Sequence, residues 1–592
     1  MPARPHCSPI RSGILMQVTA SKPISLNHQE ASQIKALQNG FPIIWIGLLI
    51  CAASVWFLDR PPHPLAEQVP SSVFSAARAA EYLAVIARAP HPINSPEHDA
   101  VRDYIVRTLQ NFGLTPEIQK TTDINERRKI PGALCNIICR LKGTGTGKAV
   151  LVAGHYDSVP AGPGASDDGV AVASMLETIR SLKSAPQLKR DAIFLFTDGE
   201  ERGLLGAQAF VSEHPWAHDV GIVLNFEARG TRGPSIMFET SDHNGWLIRN
   251  FSQAASDPVA NSLSYEIYKR LPGNTDFTIF RRAGYTGLNF AFIDGFAYYH
   301  SPHDSPENAN QGSIQQHGNY MLAMVRQFGN AESDDPRPAN VIYFDLFGKL
   351  LVVYGHTEAT VFLVLTIILA AAALFFGLRT KRLHAGASLI GLITILGGAV
   401  MTLLVSGVLA RMIMPRNPHP SRMDLGPIPE AGWYVASFCA IGLGCGIAFY
   451  LQISKRISAE NLISGSFLVW IGLVIALAIF VPGGTYLFLW PLFFSALASL
   501  IVFANKQISP GTARGILFLG SLPAIVIVVP MIHKIYWAFA AGATAVVSGL
   551  FAVVVSLIIG PIALETTSRP WLLPACCWIA GLVFLVTAMV TA

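Results

Sequence analysis

At 592 residues the chain is too long for one ordinary domain. Its composition is 51% hydrophobic and only 14% charged, which excludes a wholly soluble protein, where charged residues make up roughly 25%. The net charge of +5 is small and sits mostly in short loops, so it reads as membrane topology, and nucleic acid is not an expected partner.

In chain order, residues 1–40 form a polar tail carrying Arg4, Arg11, Lys22 and Lys35. Phe41–Leu58 is 18 residues without a charge, long enough to span a bilayer. A cleaved signal peptide fits less well, because the preceding tail is long and no A-x-A-type site follows. RPPHPLAEQVP then reads as a linker. The region 61–347 has ordinary soluble composition, so the bilayer is the expected partner only of the flanking parts. SAARAAEYLAVIAR and SPEHDAVRDYIVRTLQNFG have helical periodicity, the second with Ser95 as N-cap and an acid in its first turn. ALCNIICRL, KAVLVAG, DAIFLFT, GIVLNF, PSIMFE and TGLNFAF read as strands with helices between several of them. This is an α/β pattern: a mixed, mostly parallel sheet sandwiched by helices. Functional residues are then expected at the carboxyl ends of the strands. Only Cys135 and Cys139 fall in this region. Four residues along a strand separates them by about 13 Å, too far for a disulfide.

From about residue 360 to 592 the chain reads as an all-α polytopic membrane domain. About eight further spans are expected, near 360–378, 385–410, 432–452, 461–481, 484–504, 514–532, 537–560 and 571–591. With a cytoplasmic N-terminus, the cytoplasmic segments hold Arg4, Arg11, Lys22, Lys35, Arg379, Lys381, Arg382, Lys455, Arg456, Lys506, Arg514 and Arg569. The opposite short loops hold Arg60, Arg411, Arg416, Arg422 and Lys534. The bias puts the α/β domain outside the cytoplasm: periplasm in a bacterium, lumen in a eukaryote.

The chemistry-bearing residues follow the strands. KAVLVAG leads into HYDSVPAGPGASDDGV, with His155, Asp157, Asp167 and Asp168. DAIFLFT leads into DGEERG, with Glu200 and Glu201. GIVLNF ends at Glu227. TGLNFAFIDGFAYY leads into HSPHDSPEN, with His300, His303 and Asp304. GNTDFTIF contributes Asp276, read as shaping the site. Two imidazoles and several carboxylates at strand ends suit zinc, whose ligands are His nitrogen and Asp or Glu oxygen. Adjacent Asp167 and Asp168 cannot both point inward on regular extended backbone, so unusual geometry is expected at that peptide. Tyr298, Tyr299 and Phe277 are candidates to line a substrate pocket. His214, His218 and His243 read as surface residues.

HYDSVPAGPGASDDG, FTDGEERGLLGA, NFEARG and YYHSPHD, in this order, resemble the di-zinc aminopeptidase family of aminopeptidase Y and the bacterial leucine aminopeptidases. Within it, the arrangement of one span, the peptidase domain and then about eight spans looks like the multi-spanning branch of vacuolar membrane protease and endoplasmic reticulum metallopeptidase. The resemblance implies two Zn²⁺ per chain. His155 and Glu227 would bind the first, Glu201 and His300 the second, and Asp167 would bridge them. Glu200 would be the general base, and Asp157 would orient His155. The chemistry fits these roles. A bridging carboxylate suits two dications about 3.5–4 Å apart, and an unligated glutamate beside a ligated one can carry the proton. Two departures stand out. Gly169-Val170-Ala171 replaces the Ser-Gly pair of many relatives, and Glu227 stands where many soluble relatives have Asp. His303 rivals His300, but the family pattern places the ligand four residues before the Asp.

The expected function is a membrane-anchored metallo-exopeptidase, an aminopeptidase acting on peptide substrates. A single-zinc enzyme of the glutaminyl-cyclase type and a non-catalytic binding protein of the same fold are the alternatives.

Overall fold

The computed structural model describes residues 60–591, apart from 126–129, 272, 333, 335, 414–430, 455–456, 540–543 and 564–570. The expected tail 1–40, the first span Phe41–Leu58 and the loop cations Arg416, Arg422, Lys455, Arg456 and Arg569 lie outside the described residues.

The α/β part is built on seven strands: β1 Glu117–Asn125, β2 Ile130–Leu141, β3 Ala149–His155, β4 Ala192–Thr197, β5 Val220–Ala228, β6 Ile236–Thr240 and β7 Thr286–Phe292. They lie in the order β1-β2-β4-β3-β5-β7-β6. The inner four, β4-β3-β5-β7, are mutually parallel, and β1, β2 and β6 run antiparallel to their neighbours. The parallel strands read as near-continuous apolar runs because both faces are covered. In β3 and β4 the alternation sends Val150, Val152, Phe194 and Phe196 into one core and Leu151, Ala153, Ile193 and Leu195 into the other, as the two-residue period of a strand requires.

Helices α1 Ala76–Ile86, α2 Pro96–Asn111, α3 Val170–Lys183, α4 Leu205–Glu213, α5 Gly245–Ala254, α6 Ser262–Tyr268, α7 Asp276–Arg282 and α8 Gln311–Gly329 complete this part. Ser95 caps α2, its Oγ accepting from His98 N at 3.1 Å, with Glu97 and Asp99 in the first turn. Buried Glu177 of α3 ties in α1 through Arg78 Nε at 2.9 Å and meets Arg180 Nε at 2.7 Å. Two elements have no counterpart in the sequence reading. One is β1, a polar edge strand. The other is the hairpin β8 Val341–Leu346 with β9 Leu350–Gly355.

The helical part follows β9 directly: α9 His356–Arg379, α10 Ala385–Ile413, α11 Ala431–Ser454, α12 Ala459–Phe480, α13 Tyr486–Ala504, α14 Pro510–Pro523, α15 Val529–Phe539, α16 Thr544–Ala563 and α17 Leu572–Thr591. A π-helical turn, Ala524–Val528, joins α14 to α15, so the two make one apolar segment, Pro510–Tyr536. Among the described residues seven helices are long and apolar enough to cross a membrane, and an eighth apolar stretch, Thr544–Ile558, is shorter. Their outward surface carries Val361, Leu365, Ile393, Leu404, Ile479 and Val586, each at least half exposed. That is the surface expected where lipid is the solvent.

The two parts share a core. Leu263, Ile342 and Phe344 pack in one cluster with Trp470, Tyr486 and Phe488, and the Phe344 and Tyr486 rings stack at 4.6 Å. Ser262 Oγ lies 2.6 Å from the carbonyl of Gly483.

Gly318 on α8 gives a test of the packing. A Cβ there would lie 1.9 Å from the Phe74 ring. Helix propensity alone favours Ala over Gly by roughly 0.5–1 kcal/mol, but overpacking costs about 1–3 kcal/mol. Gly318→Ala should therefore lower the thermal midpoint of the full chain by about one to three degrees. A raised midpoint would show that this contact does not constrain the fold.

Candidate metal centre and substrate cleft

The chain passes from β3 outward to β4 and then returns past β3 to β5. The crevice between the carboxyl ends of β3 and β5 is therefore the switch point where α/β sheets bind ligands. Register explains which residues meet there. Ala153 pairs with Asn225, and two residues further on each strand come His155 and Glu227. With the two-residue period they face the same side, and His155 Nε2 lies 3.8 Å from Glu227 Oε2.

The other side chains arrive on loops held by their own hydrogen bonds. After β4, Gly199 takes a left-handed φ of 71° and turns Glu200 and Glu201 toward the crevice. Asp157 fixes this turn: Oδ1 accepts from Glu200 N at 3.0 Å, and Oδ2 from Glu201 N at 3.3 Å. The His155 Nδ1 contact is made chiefly by the backbone carbonyl of Asp157, at 2.9 Å, with Oδ1 at 3.5 Å. Asp157 thus acts on the glutamate pair as well as on the imidazole.

Asp167 is held in place by Asp304, whose Oδ1 accepts from Ser166 N at 2.7 Å and Oδ2 from Asp167 N at 3.1 Å. The Asp167–Asp168 peptide is cis, which is the unusual geometry anticipated there. Both carboxylates reach the cluster, Asp168 Oδ2 accepting from His155 N at 3.1 Å. Asp168 and Asp304 stand among the chemistry-bearing residues of the sequence but have no role assigned to them there. Only their place inside the motifs could have singled them out.

Asp167 lies between the two imidazoles. Its Oδ1 is 3.3 Å from His155 Nε2, and its Oδ2 is 3.1 Å from His300 Nε2. His300 Nε2 is also 3.0 Å from Glu201 Oε1. Asp167 Oδ2, Glu201 Oε1 and His300 Nε2 are nonetheless buried without a properly aligned hydrogen bond. His155, Asp167 and Glu201 have ligand atoms within 4.8 Å of one another, as do His155, Asp168 and Glu227. His303 is exposed and packs beside Tyr298, whereas the His300 ring stacks on Tyr299 at 3.7 Å. Asp276 is buried behind the cluster, with Oδ2 accepting from Thr197 Oγ1 at 2.5 Å. Phe277 belongs to the core on the far face of the sheet, so it is not a pocket residue. His214 corrects the surface reading: it is 8% exposed, wedged between Phe210 and Trp216.

Asp157, Asp167, Asp168, Glu200, Glu201 and Glu227 thus crowd around the imidazoles of His155 and His300. Burial, then the charge of Glu227, pushes Glu200 well above the usual carboxylate range. Burial, then Asp168, does the same to Glu227. Burial and Asp167 raise Glu201 to about 7. Burial opposes the charged form of His300, but Asp167 and Glu201 outweigh it and raise the imidazole to about 10. Burial would also raise Asp167, yet His155 and His300 hold it below its ordinary value. Carboxylates forced to keep protons beside imidazoles forced to charge are an arrangement that a multivalent cation relieves. The unsatisfied atoms and the hard oxygen and nitrogen donor set fit zinc.

Asp167, Glu200 and Glu227 also line a cavity of about 280 Å³. Arg229, Tyr268 and Tyr299 line it too, as do Ile236, Phe238 and Ile267. Three further lining residues, Met531, Lys534 and Ile535, come from α15 in the helical part.

Residues 136–325 match the sequence profile of Peptidase family M28. Endoplasmic reticulum metallopeptidase 1 of Mus musculus is 31% identical over 258 residues, covering 42% of this chain and 28% of that protein. Vacuolar membrane protease of Yarrowia lipolytica is 29% identical over 403 residues, covering 62% of this chain and 39% of that one. The chain therefore spans well under half the length of these relatives. Among solved structures, an aminopeptidase from Aneurinibacillus sp. strain AM-1 is 14% identical with a TM-score of 0.37, covering 43% of this chain and 94% of that one. A Porphyromonas gingivalis glutaminyl cyclase is 19% identical with a TM-score of 0.37, covering 43% and 98%.

The metal-free protein has a defined pH response. Glu201 and His300 are raised from 4.5 to about 7 and from 6.5 to about 10, so the folded state binds their protons more tightly than the unfolded chain. The stability they contribute is complete below the unfolded values and is lost as pH rises through the folded ones. Asp167, held low, acts in the opposite sense only in strong acid. Buried His317, lowered to about 3, acts in the opposite sense up to about pH 6.5, so chelator-treated protein should lose thermal stability from about pH 7 to pH 9 in scanning calorimetry. A midpoint that rises over this interval contradicts the electrostatic description.

Proposed function

We propose that this chain, whose α/β part carries a domain of Peptidase family M28, is a membrane-anchored di-zinc aminopeptidase hydrolysing peptides on the non-cytoplasmic side of the bilayer. The observation that carries the reading is the Asp167 carboxylate, with one oxygen toward His155 and the other toward His300. Each imidazole has a glutamate of its own, Glu227 at 3.8 Å and Glu201 at 3.0 Å. Two donor sets sharing one carboxylate suit two cations, and counting bound zinc, two against one, separates this reading from the single-zinc alternative.

His155 and Glu227 would hold one zinc, Glu201 and His300 the other, and Asp167 would belong to both. Bound there, zinc would supply Lewis-acid polarisation of the scissile carbonyl and acidify the attacking water. The remaining work falls to the chain. Glu200 lines the cavity and stands in neither donor set. It takes the proton of the attacking water and delivers it to the leaving amine. Asp157 keeps Glu200 and Glu201 on opposite duties by anchoring both backbone amides, so one side chain stays ligated while its neighbour moves a proton. Tyr299, stacked on His300, limits the ring's rotation.

The relatives' names, a metallopeptidase and a membrane protease, agree with this reading. The Lys and Arg bias of the short loops supports the non-cytoplasmic side. The proposed division is a cytoplasmic tail over 1–40, a span over 41–58, the peptidase domain over 61–347 and the membrane domain over 360–592.

Glu200→Gln should retain zinc and thermal stability while kcat falls by about 10²–10⁴-fold. Near-normal turnover would remove Glu200 from the reaction. His155→Ala and Asp167→Ala should instead lose zinc, as measured by elemental analysis of the purified protein. A set of aminoacyl and peptide substrates, assayed with and without chelator, tests the substrate class. N-terminally blocked peptides cut as well as free ones would contradict an aminopeptidase.

A further inference from the structure

The cleft is not closed by the α/β part alone. Met531, Lys534 and Ile535 of α15 line the same cavity as Glu200 and Glu227, although they belong to the apolar segment Pro510–Tyr536, long enough to cross a membrane. The contact is built into both parts. Lys534 Nζ meets Asp345 Oδ1 of β8 at 3.0 Å, with the two side chains 9% and 5% exposed. A buried pair of this kind fixes the end of α15 against the hairpin, because separating it strands a charge. Beside that contact, Asn261 bridges to Phe344 of β8, and Ser262 Oγ lies 2.6 Å from the carbonyl of Gly483 between α12 and α13. Helix α6, which brings Ile267 and Tyr268 to the cavity, is therefore set by the helical part as well.

We propose that the membrane domain is part of the substrate site. The end of α15 forms a wall of the pocket that receives the side chain beside the scissile bond, and so selects large apolar residues. The lining is apolar apart from the metal-centre carboxylates, two cations and a few hydroxyl and amide groups. The whole cleft, metal centre included, measures about 280 Å³, which leaves room within it for a pocket on the roughly 150 Å³ scale that accepts a benzene ring. Met531 is 6% exposed and Ile535 half-buried, so both present apolar surface to the cavity instead of to lipid. Lys534 contributes its stem, with its ammonium group engaged by Asp345. The aminopeptidase reading enters only in naming the ligand as an N-terminal residue.

The test is the preference of the full-length, zinc-loaded protein in detergent for L-phenylalanine hydroxamate over L-alanine hydroxamate, measured as a ratio of Kd values by calorimetry. Ile535→Trp narrows the pocket at its wall and should reduce that preference about tenfold. Met531→Ala and Ile535→Ala, which remove wall contacts without adding bulk, should each reduce it several-fold. Leu519→Trp, on the outward face of the same segment at 62% exposure, should leave the ratio unchanged. An unaltered ratio in all three wall variants overturns the proposal. So does failure of both hydroxamates to bind the unmodified protein. Binding with the expected ratios but without peptide hydrolysis would overturn the aminopeptidase reading and leave the wall assignment standing.

Discussion

The structure depends on one carboxylate placed between two imidazoles. Asp167 has to accept the neighbourhood of His155 on one oxygen and of His300 on the other, in a volume that also contains Glu200, Glu201, Glu227 and Asp168. Every other feature of the site serves that placement. Asp304 holds the Asp167 amide, Asp157 holds the glutamate turn, and the parallel sheet delivers His155 and Glu227 side by side at the ends of β3 and β5. Burying so many like charges is costly unless opposite charge joins them. The directions in which these groups are pushed, with Glu200 and Glu227 toward the proton and His300 toward the cation, describe a site arranged around positive charge.

A second constraint is that this site sits against the helical part. The stacked Phe344 and Tyr486, the Lys534–Asp345 pair and the Ser262–Gly483 contact make the two parts one packed body at the place where the cleft opens. A peptidase domain attached only by a tether would need none of these contacts. With them, the helical bundle bears on the shape of the cavity as well as on its location.

Much of this was legible in the sequence, for physical reasons. The six strand segments read from composition correspond to β2 through β7, because strands covered on both faces must be continuously apolar. Seven of the eight apolar stretches expected after residue 360 correspond to helices long enough to cross a membrane, because lipid imposes the length, whereas the stretch expected at 537–560 begins inside α15 and its own helix starts only at Thr544. The motif order located the carboxylates and imidazoles, since sheet topology gathers residues that end parallel strands. Other features left no local trace. β1 is an edge strand of mixed polarity, EIQKTTDIN, with no alternation strong enough to stand out. β9 runs straight into α9, so its apolar residues merge with those of the helix. His214 reads as a surface residue because a lone imidazole between Glu213 and Pro215 gives no local sign of the two rings that enclose it. The part of α15 in the cleft was invisible, because a contact between Ile535 and a pocket formed by residues near 167, 200 and 227 has no periodicity to reveal it.

The most direct measurement is a zinc-edge anomalous difference map from crystals of the full-length protein grown with zinc. The account predicts two peaks flanking the Asp167 carboxylate, one against His155 and Glu227, the other against Glu201 and His300. A single peak, or peaks away from Asp167, would contradict it.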